Sequence, residues 1–280
     1  MARSIIMARL DRYVVIGNPV SHSLSPAIHA RFAAQAGDSL EYSTLLVPLG
    51  HFEREAARFF AEGGAGANVT LPFKIDAFRF AQRASERARL AGAANFLAMR
   101  GGIVEADNTD GAGLVVDLER NLGVALAAST ILLVGAGGAA RGVVGPLLAA
   151  PPARLVIANR TAERARELAE AFAALGPVEA ATLQSIPETR YDLVVNATST
   201  STHGASLELP QQVLGAHAFA YDMAYGPAAR AFVEHARSRG ARACDGLGML
   251  VEQAAESYYL WRGLRPETGP VLAELRTLLA

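Results

Sequence analysis

The residue that most invites a chemical reading is Lys74, which closes the string Asn68-Val69-Thr70-Leu71-Pro72-Phe73-Lys74. Asn68 and Thr70 fall on one side of a strand end by two-residue alternation, and the turn after them presents an ammonium able to give or take a proton. A lone lysine at a helix start is more commonly just solvated. Asp107-Asn108-Thr109-Asp110-Gly111 offers a carboxylate ahead of a helix expected over Leu114 to Asn121, where Asp110 could equally be an N-cap. Earlier, Ser21, Ser23 and Ser25 precede Pro26 at a helix start. Hydroxyls and first-turn N–H groups there suit a ligand carboxylate or hydroxyl, and ordinary capping by Ser25 is the competing reading.

A second chemistry is phosphate binding. Gly135-x-Gly137-x-x-Ala140 follows the strand Ile131-Leu132-Leu133-Val134 and opens a helix over Arg141 to Ala149. The first glycine makes the turn, the second lets backbone approach a pyrophosphate, and the small third residue lets helix and strand pack closely. The next strand, Leu155-Val156-Ile157-Ala158, ends in Asn159-Arg160-Thr161 with Arg164 one turn on. An acid there would favour NAD; an arginine can pair with a 2′-phosphate, so NADP is favoured. The bland alternative makes Thr161 an N-cap and Arg160 a solvated surface residue.

These groups need a scaffold. Short β-branched runs alternate with Ala/Leu/Arg-rich stretches, the pattern of an α/β fold with parallel sheets. Strands are expected at Tyr13 to Gly17, Tyr42 to Val47, Ala67 to Val69, Leu193 to Val195 and Phe219 to Tyr221. Helices are expected from Pro26 through Phe32, at His51 to Phe60, Ala162 to Leu175, Leu247 to Trp261, and from Glu267 onward. The expected division is an N-terminal α/β domain (1–109), a Rossmann-like domain (110–246), and C-terminal helices (247–280) returning to the first domain, with a cleft between the halves.

Composition narrows the alternatives. With 280 residues, 51% hydrophobic and 19% charged, the chain can bury two modest cores. A net charge of -1 with interspersed signs argues against nucleic acid. The single cysteine, Cys244, has no internal partner, and no Cys/His cluster has metal-ligand spacing. The apolar run Ile5-Ile6-Met7 is too short for a signal-peptide core and no stretch is long enough to span a bilayer, so a cytoplasmic location is expected and the Asn68, Asn159 and Asn196 triplets are not read as glycosylation sites. Met7 is an alternative start to Met1.

Taken together and in order, the strings from Gly17 to Trp261 resemble the shikimate dehydrogenase family. The resemblance implies reduction of 3-dehydroshikimate to shikimate with NADPH, on the route to chorismate and aromatic amino acids, by a monomer or homodimer. It implies that the first domain binds substrate, with Ser23 and Ser25 on its carboxylate, and Thr70, Asn95, Asp110 and Gln253 on ring hydroxyls. Asn68 and Tyr225 would line that site, and Lys74 would be the acid/base group with Asp110 its partner. Gly135, Ala136, Gly137, Gly138 and Ala139 would cradle pyrophosphate, and Asn159, Arg160, Thr161 and Arg164 the 2′-phosphate. Met223 and Gly246 would lie against the nicotinamide, with Glu86 near the cofactor. Phe96 stands where the family usually has threonine, the string Asn196 to Gly204 is looser than the usual Asn-Ala-Thr-Ser-x-Gly, and Ala228-Ala229-Arg230 lacks a common threonine. Two rivals are an NAD-using quinate/shikimate dehydrogenase paralogue and a non-catalytic NADP-binding regulator on the same scaffold, which would need neither Lys74 nor Asp110.

Overall fold

The computed structural model describes residues 10–198, 207 and 209–279. The two candidate start methionines and the stretch Ser199 to Gly204 lie outside the described residues. The first part of the chain runs β1 (Asp11–Gly17), α1 (Ser25–Ala36), β2 (Leu40–Leu46), α2 (Phe52–Ala61), β3 (Gly64–Val69), α3 (Lys74–Phe80), β4 (Arg83–Ala84), α4 (Glu86–Ala91), β5 (Phe96–Arg100) and β6 (Ile103–Asp107). Its sheet has the order β2-β1-β3-β5-β6-β4. The pairs β1–β2, β1–β3 and β4–β6 are parallel, whereas β3–β5 and β5–β6 are antiparallel. The sheet is therefore mixed, not parallel as the alternation suggested. The reason is local: Gly101 and Gly102, at φ 57° and 80°, close a two-residue hairpin between β5 and β6.

The second part runs α5 (Asp110–Val116), β7 (Thr130–Val134), α6 (Gly138–Ala149), β8 (Arg154–Asn159), α7 (Ala162–Phe172), β9 (Val178–Thr182), β10 (Leu193–Asn196), β11 (Phe219–Asp222), α8 (Arg230–Ser238) and β12 (Arg242–Cys244). All its strand pairs are parallel, in the order β12-β11-β10-β7-β8-β9. That is the doubly wound arrangement whose ligand crevice opens where the order reverses, between β7 and β10. The strands are apolar on both faces. Ile131 and Leu133 pack against α5, α6 and α7, while Leu132 and Val134 pack with Phe232 and Ala236 of α8 on the other side.

Two helices complete the chain, α9 (Leu247–Arg262) and α10 (Gly269–Leu279). Leu247, Val251, Ala254 and Tyr258 of α9 share a core with Ile28 and Phe32 of α1 and with Val271 and Leu275 of α10. Met249, on another face of α9, joins the core of the second sheet. The C-terminal helices thus return to the first sheet and tie it to the second.

Candidate active site

The carboxyl ends of β1 and β3 in one sheet face those of β7 and β10 in the other across a cleft of about 1690 Å³. From the first part of the chain Ser23, Ser25, Asn68, Thr70, Lys74 and Asn95 line it. Asp110 and Gln253 join them from α5 and α9, and Tyr225, Met223 and Gly246 from the loops after β11 and β12. On the far wall stand Gly135, Ala136, Gly137, Gly138 and Ala139, then Asn159, Arg160 and Arg164.

Lys74 opens α3 and Asp110 opens α5. Their side chains meet at 2.5 Å between Nζ and Oδ2, with 13% and 6% of their surfaces exposed. Asp110 is not an N-cap: Thr109 holds that position without a side-chain bond, Asn108 Oδ1 accepts from the Asp110 backbone N–H at 3.1 Å, and α5 begins earlier than expected. Its carboxylate is spent on the pair and on Asn95, whose Nδ2 donates to Oδ1 at 2.9 Å. Asn95 is fixed in turn. Its Oδ1 accepts from the Thr109 backbone N–H at 2.7 Å, and its Nδ2 also reaches Gln253 Oε1 at 3.1 Å. Buried polar groups joined this fully form a rigid floor around the ammonium.

Ser25 likewise is not a cap; it is the first residue of α1, behind Leu24. Ser23 donates to the Ser25 hydroxyl at 3.2 Å, which keeps both oxygens together at the cleft edge. The Tyr225 phenol is held against the Leu24 backbone, and burial pushes its pKa up.

The glycine turn is open where a phosphate would need it open. Gly135 has φ 117°, a conformation side chains resist, and a Cβ there would sit 3.0 Å from the Ala197 carbonyl. Among the described residues, a Cβ on Gly137 would meet no atom within 4 Å. No side chain caps α6, which starts at Gly138 instead of Arg141, so its first-turn N–H groups stay available. Arg160 and Arg164 are exposed and make no hydrogen bond or ion pair among the described residues. Thr161 occupies the N-cap position of α7 without a side-chain bond and does not line the cleft. Nor does Glu86, which is exposed at the start of α4 behind the capping Ser85.

Three supporting residues were not singled out from the sequence: Thr109, Ser257 and Tyr42. Ser257 lies one turn beyond Gln253 on α9, so helical spacing could have found it. Thr109 simply precedes Asp110. Nothing in the sequence marks Tyr42, which reaches Asn68 of β3 from β2, across the intervening β1.

Three family models match the chain in succession: the shikimate dehydrogenase substrate binding domain over residues 15–97, shikimate/quinate 5-dehydrogenase over 117–224, and the shikimate 5′-dehydrogenase C-terminal domain over 246–276. The chain belongs to the shikimate dehydrogenase family. A shikimate dehydrogenase (NADP(+)) of Acidovorax sp. (strain JS42) is 51% identical to it, covering 98% of this chain and 98% of the relative. Among solved structures, an Ael1 enzyme from Pseudomonas putida has 46% identity and a TM-score of 0.87, covering 95% of this chain and 98% of that one. Shikimate 5-dehydrogenase from Thermus thermophilus, in complex with NADP(H) and shikimate, has 32% identity and a TM-score of 0.85, covering 96% and 100%.

Against the shikimate dehydrogenase pattern, Phe96 now has a physical account. Its ring turns away from Asn95 and stacks on Trp261 at 5.0 Å and 28°. The Trp261 indole N–H donates to the Leu97 carbonyl at 3.1 Å, fixing α9 beneath the substrate-side sheet. Among the described residues no helix is long and apolar enough to cross a membrane, and no group of three or more His, Cys, Asp or Glu could hold a metal ion.

Proposed function

We propose that this chain is an NADP-dependent shikimate dehydrogenase, interconverting 3-dehydroshikimate and shikimate. The observation that carries the reading is the Lys74–Asp110 pair, 2.5 Å apart on the cleft floor and facing an open glycine turn. Relatives with that activity in their names, at about half identity over nearly the whole chain, support it.

The residues present fit NADP. The uncapped start of α6, the space at Gly137 and the cations Arg160 and Arg164, unpaired among the described residues, together suit a pyrophosphate and a 2′-phosphate. In this assignment Gly135 to Ala139 hold the former; Asn159, Arg160 and Arg164 hold the latter, with Thr161 ending that loop. Met223 and Gly246 flank the nicotinamide, and Glu86 has at most a remote part. When bound, the cofactor supplies or accepts the hydride.

The protein manages charge. Ser23 and Ser25 anchor the carboxylate of the substrate; Thr70, Asn95, Asp110 and Gln253 hold its ring hydroxyls, with Asn68 and Tyr225 closing the sides. Reduction of a ring carbonyl builds negative charge on its oxygen. A protonated Lys74 stabilises that charge and then delivers its proton to the same oxygen. Asp110 keeps the ammonium aimed, and Asn95 keeps Asp110 aimed. With this reading go a division at 1–109, 110–246 and 247–280, a cytoplasmic location, and a monomeric or homodimeric state.

Initial rates on shikimate and on quinate, each with NADP and with NAD, test the function. Fastest turnover with shikimate and NADP is the expected result. A preference for quinate with NAD would favour the paralogue reading, and no turnover with any pair would favour a binding regulator.

A further inference from the structure

Beneath the cleft floor lies an aromatic stack that the reaction does not use. The Tyr42 ring rests flat on His29, with centroids 4.2 Å apart and planes 8° from parallel. Trp261 closes on both rings, at 5.5 Å from His29 and 6.3 Å from Tyr42. His29 is buried, and neither ring nitrogen makes a well-formed hydrogen bond among the described residues. Burial pulls its pKa down to about 3, so the ring facing Tyr42 is neutral around neutral pH.

The other end of Tyr42 reaches the site. Its hydroxyl donates to Asn68 Oδ1 at 2.7 Å, and the Ser25 hydroxyl lies beside the same phenol. Burial pushes the phenol's pKa well above 10, so it remains a donor. The rest of the Asn68 carboxamide is also committed. Its Nδ2 donates to the Asn95 carbonyl at 3.2 Å and to Ser257 Oγ at 2.9 Å. A carboxamide has two N–H donors and two oxygen lone pairs. With both N–H donors taken, the carboxamide has no proton left to give; its oxygen keeps one lone pair, which the buried His29 ring approaches without forming a well-aligned bond.

We propose that Tyr42 is a positioning residue: clamped by His29, its hydroxyl fixes the Asn68 carboxamide as an acceptor-only reader of a hydroxyl on the substrate. Such a reader favours a hydroxyl over a carbonyl at the ring position it faces, because it has no proton to give. The proposal rests on the reading above in which Asn68 lines the substrate site.

Steady-state kinetics on Tyr42→Phe, Asn68→Ala and the double variant, varying shikimate and NADP separately, test it. Loss of one neutral hydrogen bond is expected to raise KM for shikimate about fivefold in Tyr42→Phe, with kcat and KM for NADP unchanged. The substitution should add nothing once Asn68 is alanine. If Asn68→Ala raises the shikimate KM and Tyr42→Phe does not, the positioning role is overturned and the substrate-site reading stands. If Asn68→Ala leaves that KM unchanged, the site reading itself falls. Equal rises in both KM values, or losses that multiply in the double variant, make Tyr42 a packing residue only and overturn the proposal.

Discussion

Lys74 and Asp110 lie 36 positions apart in sequence and begin two different helices, yet their charged atoms meet at 2.5 Å on the floor of the cleft. The contact joins the substrate-side sheet to the first helix of the nucleotide-side half. Asp110→Asn keeps the side-chain shape and removes the charge. It is expected to lower kcat for shikimate oxidation by about 100-fold, within the range for a misplaced acid/base group. Stopped assays over NADP and shikimate concentrations check this; an unchanged kcat would remove the carboxylate from the reaction.

Arg160 bears on cofactor choice. It lines the cleft with no acidic neighbour bonded to it among the described residues. Arg160→Ala should raise KM for NADP by about tenfold or more, the order for loss of a charge-assisted contact, and leave KM for NAD nearly untouched. Equal losses with both cofactors would undo the 2′-phosphate assignment.

Gly113 sets how closely α5 approaches α9. A Cβ there would lie 2.7 Å from the Gln253 backbone nitrogen and 2.8 Å from the Met249 carbonyl, neither of which can step aside. Gly113→Ala should destabilise the protein by about 1–3 kcal/mol, the usual cost of overpacking, and should misplace Asp110 and Gln253 together. Urea unfolding measures the first effect, and a rise in shikimate KM the second.

The candidate site was legible in the sequence where it sits on local signals. Gly135-x-Gly137-x-x-Ala140 behind an apolar strand, and Arg160 at the next strand end, read directly because each depends on neighbours along the chain. The parallel core strands were equally plain, being apolar on both faces. Short elements with weak patterns were missed: β4, β9 and β12 are edge strands of two to five residues, none of which is fully buried. The β5–β6 hairpin could have been found from Gly101-Gly102. What spacing could not supply is contact between distant segments. Hence Ser25 and Asp110 were open between capping and chemistry, and Tyr42 behind Asn68 went unseen. Glu86, carried over from the resemblance alone, is exposed away from the cleft.

His29 gives a pH dependence with a definite sign. Its folded-state pKa is lowered from 6.5 to about 3 by burial. The unfolded chain therefore gains a proton as pH falls through 6.5, and the folded chain does not until near 3. Stability from this group is complete above 6.5 and is lost toward 3, with a slope of up to about 1.4 kcal/mol per pH unit. The lowered carboxylates, Asp38, Glu179 and Glu274, act only below their ordinary values of 3.8 and 4.5. Urea unfolding between pH 6.5 and 5 should show the His29 slope in the parent and its loss in His29→Leu. A slope that survives the substitution would assign it elsewhere.

In the proposed mechanism Lys74 exchanges the proton at the reacting oxygen, and the decisive measurement is kcat of Lys74→Ala with saturating shikimate and NADP. A fall of about 10²–10⁴-fold is expected, with KM for shikimate little changed. A variant turning over at the parental rate would contradict it.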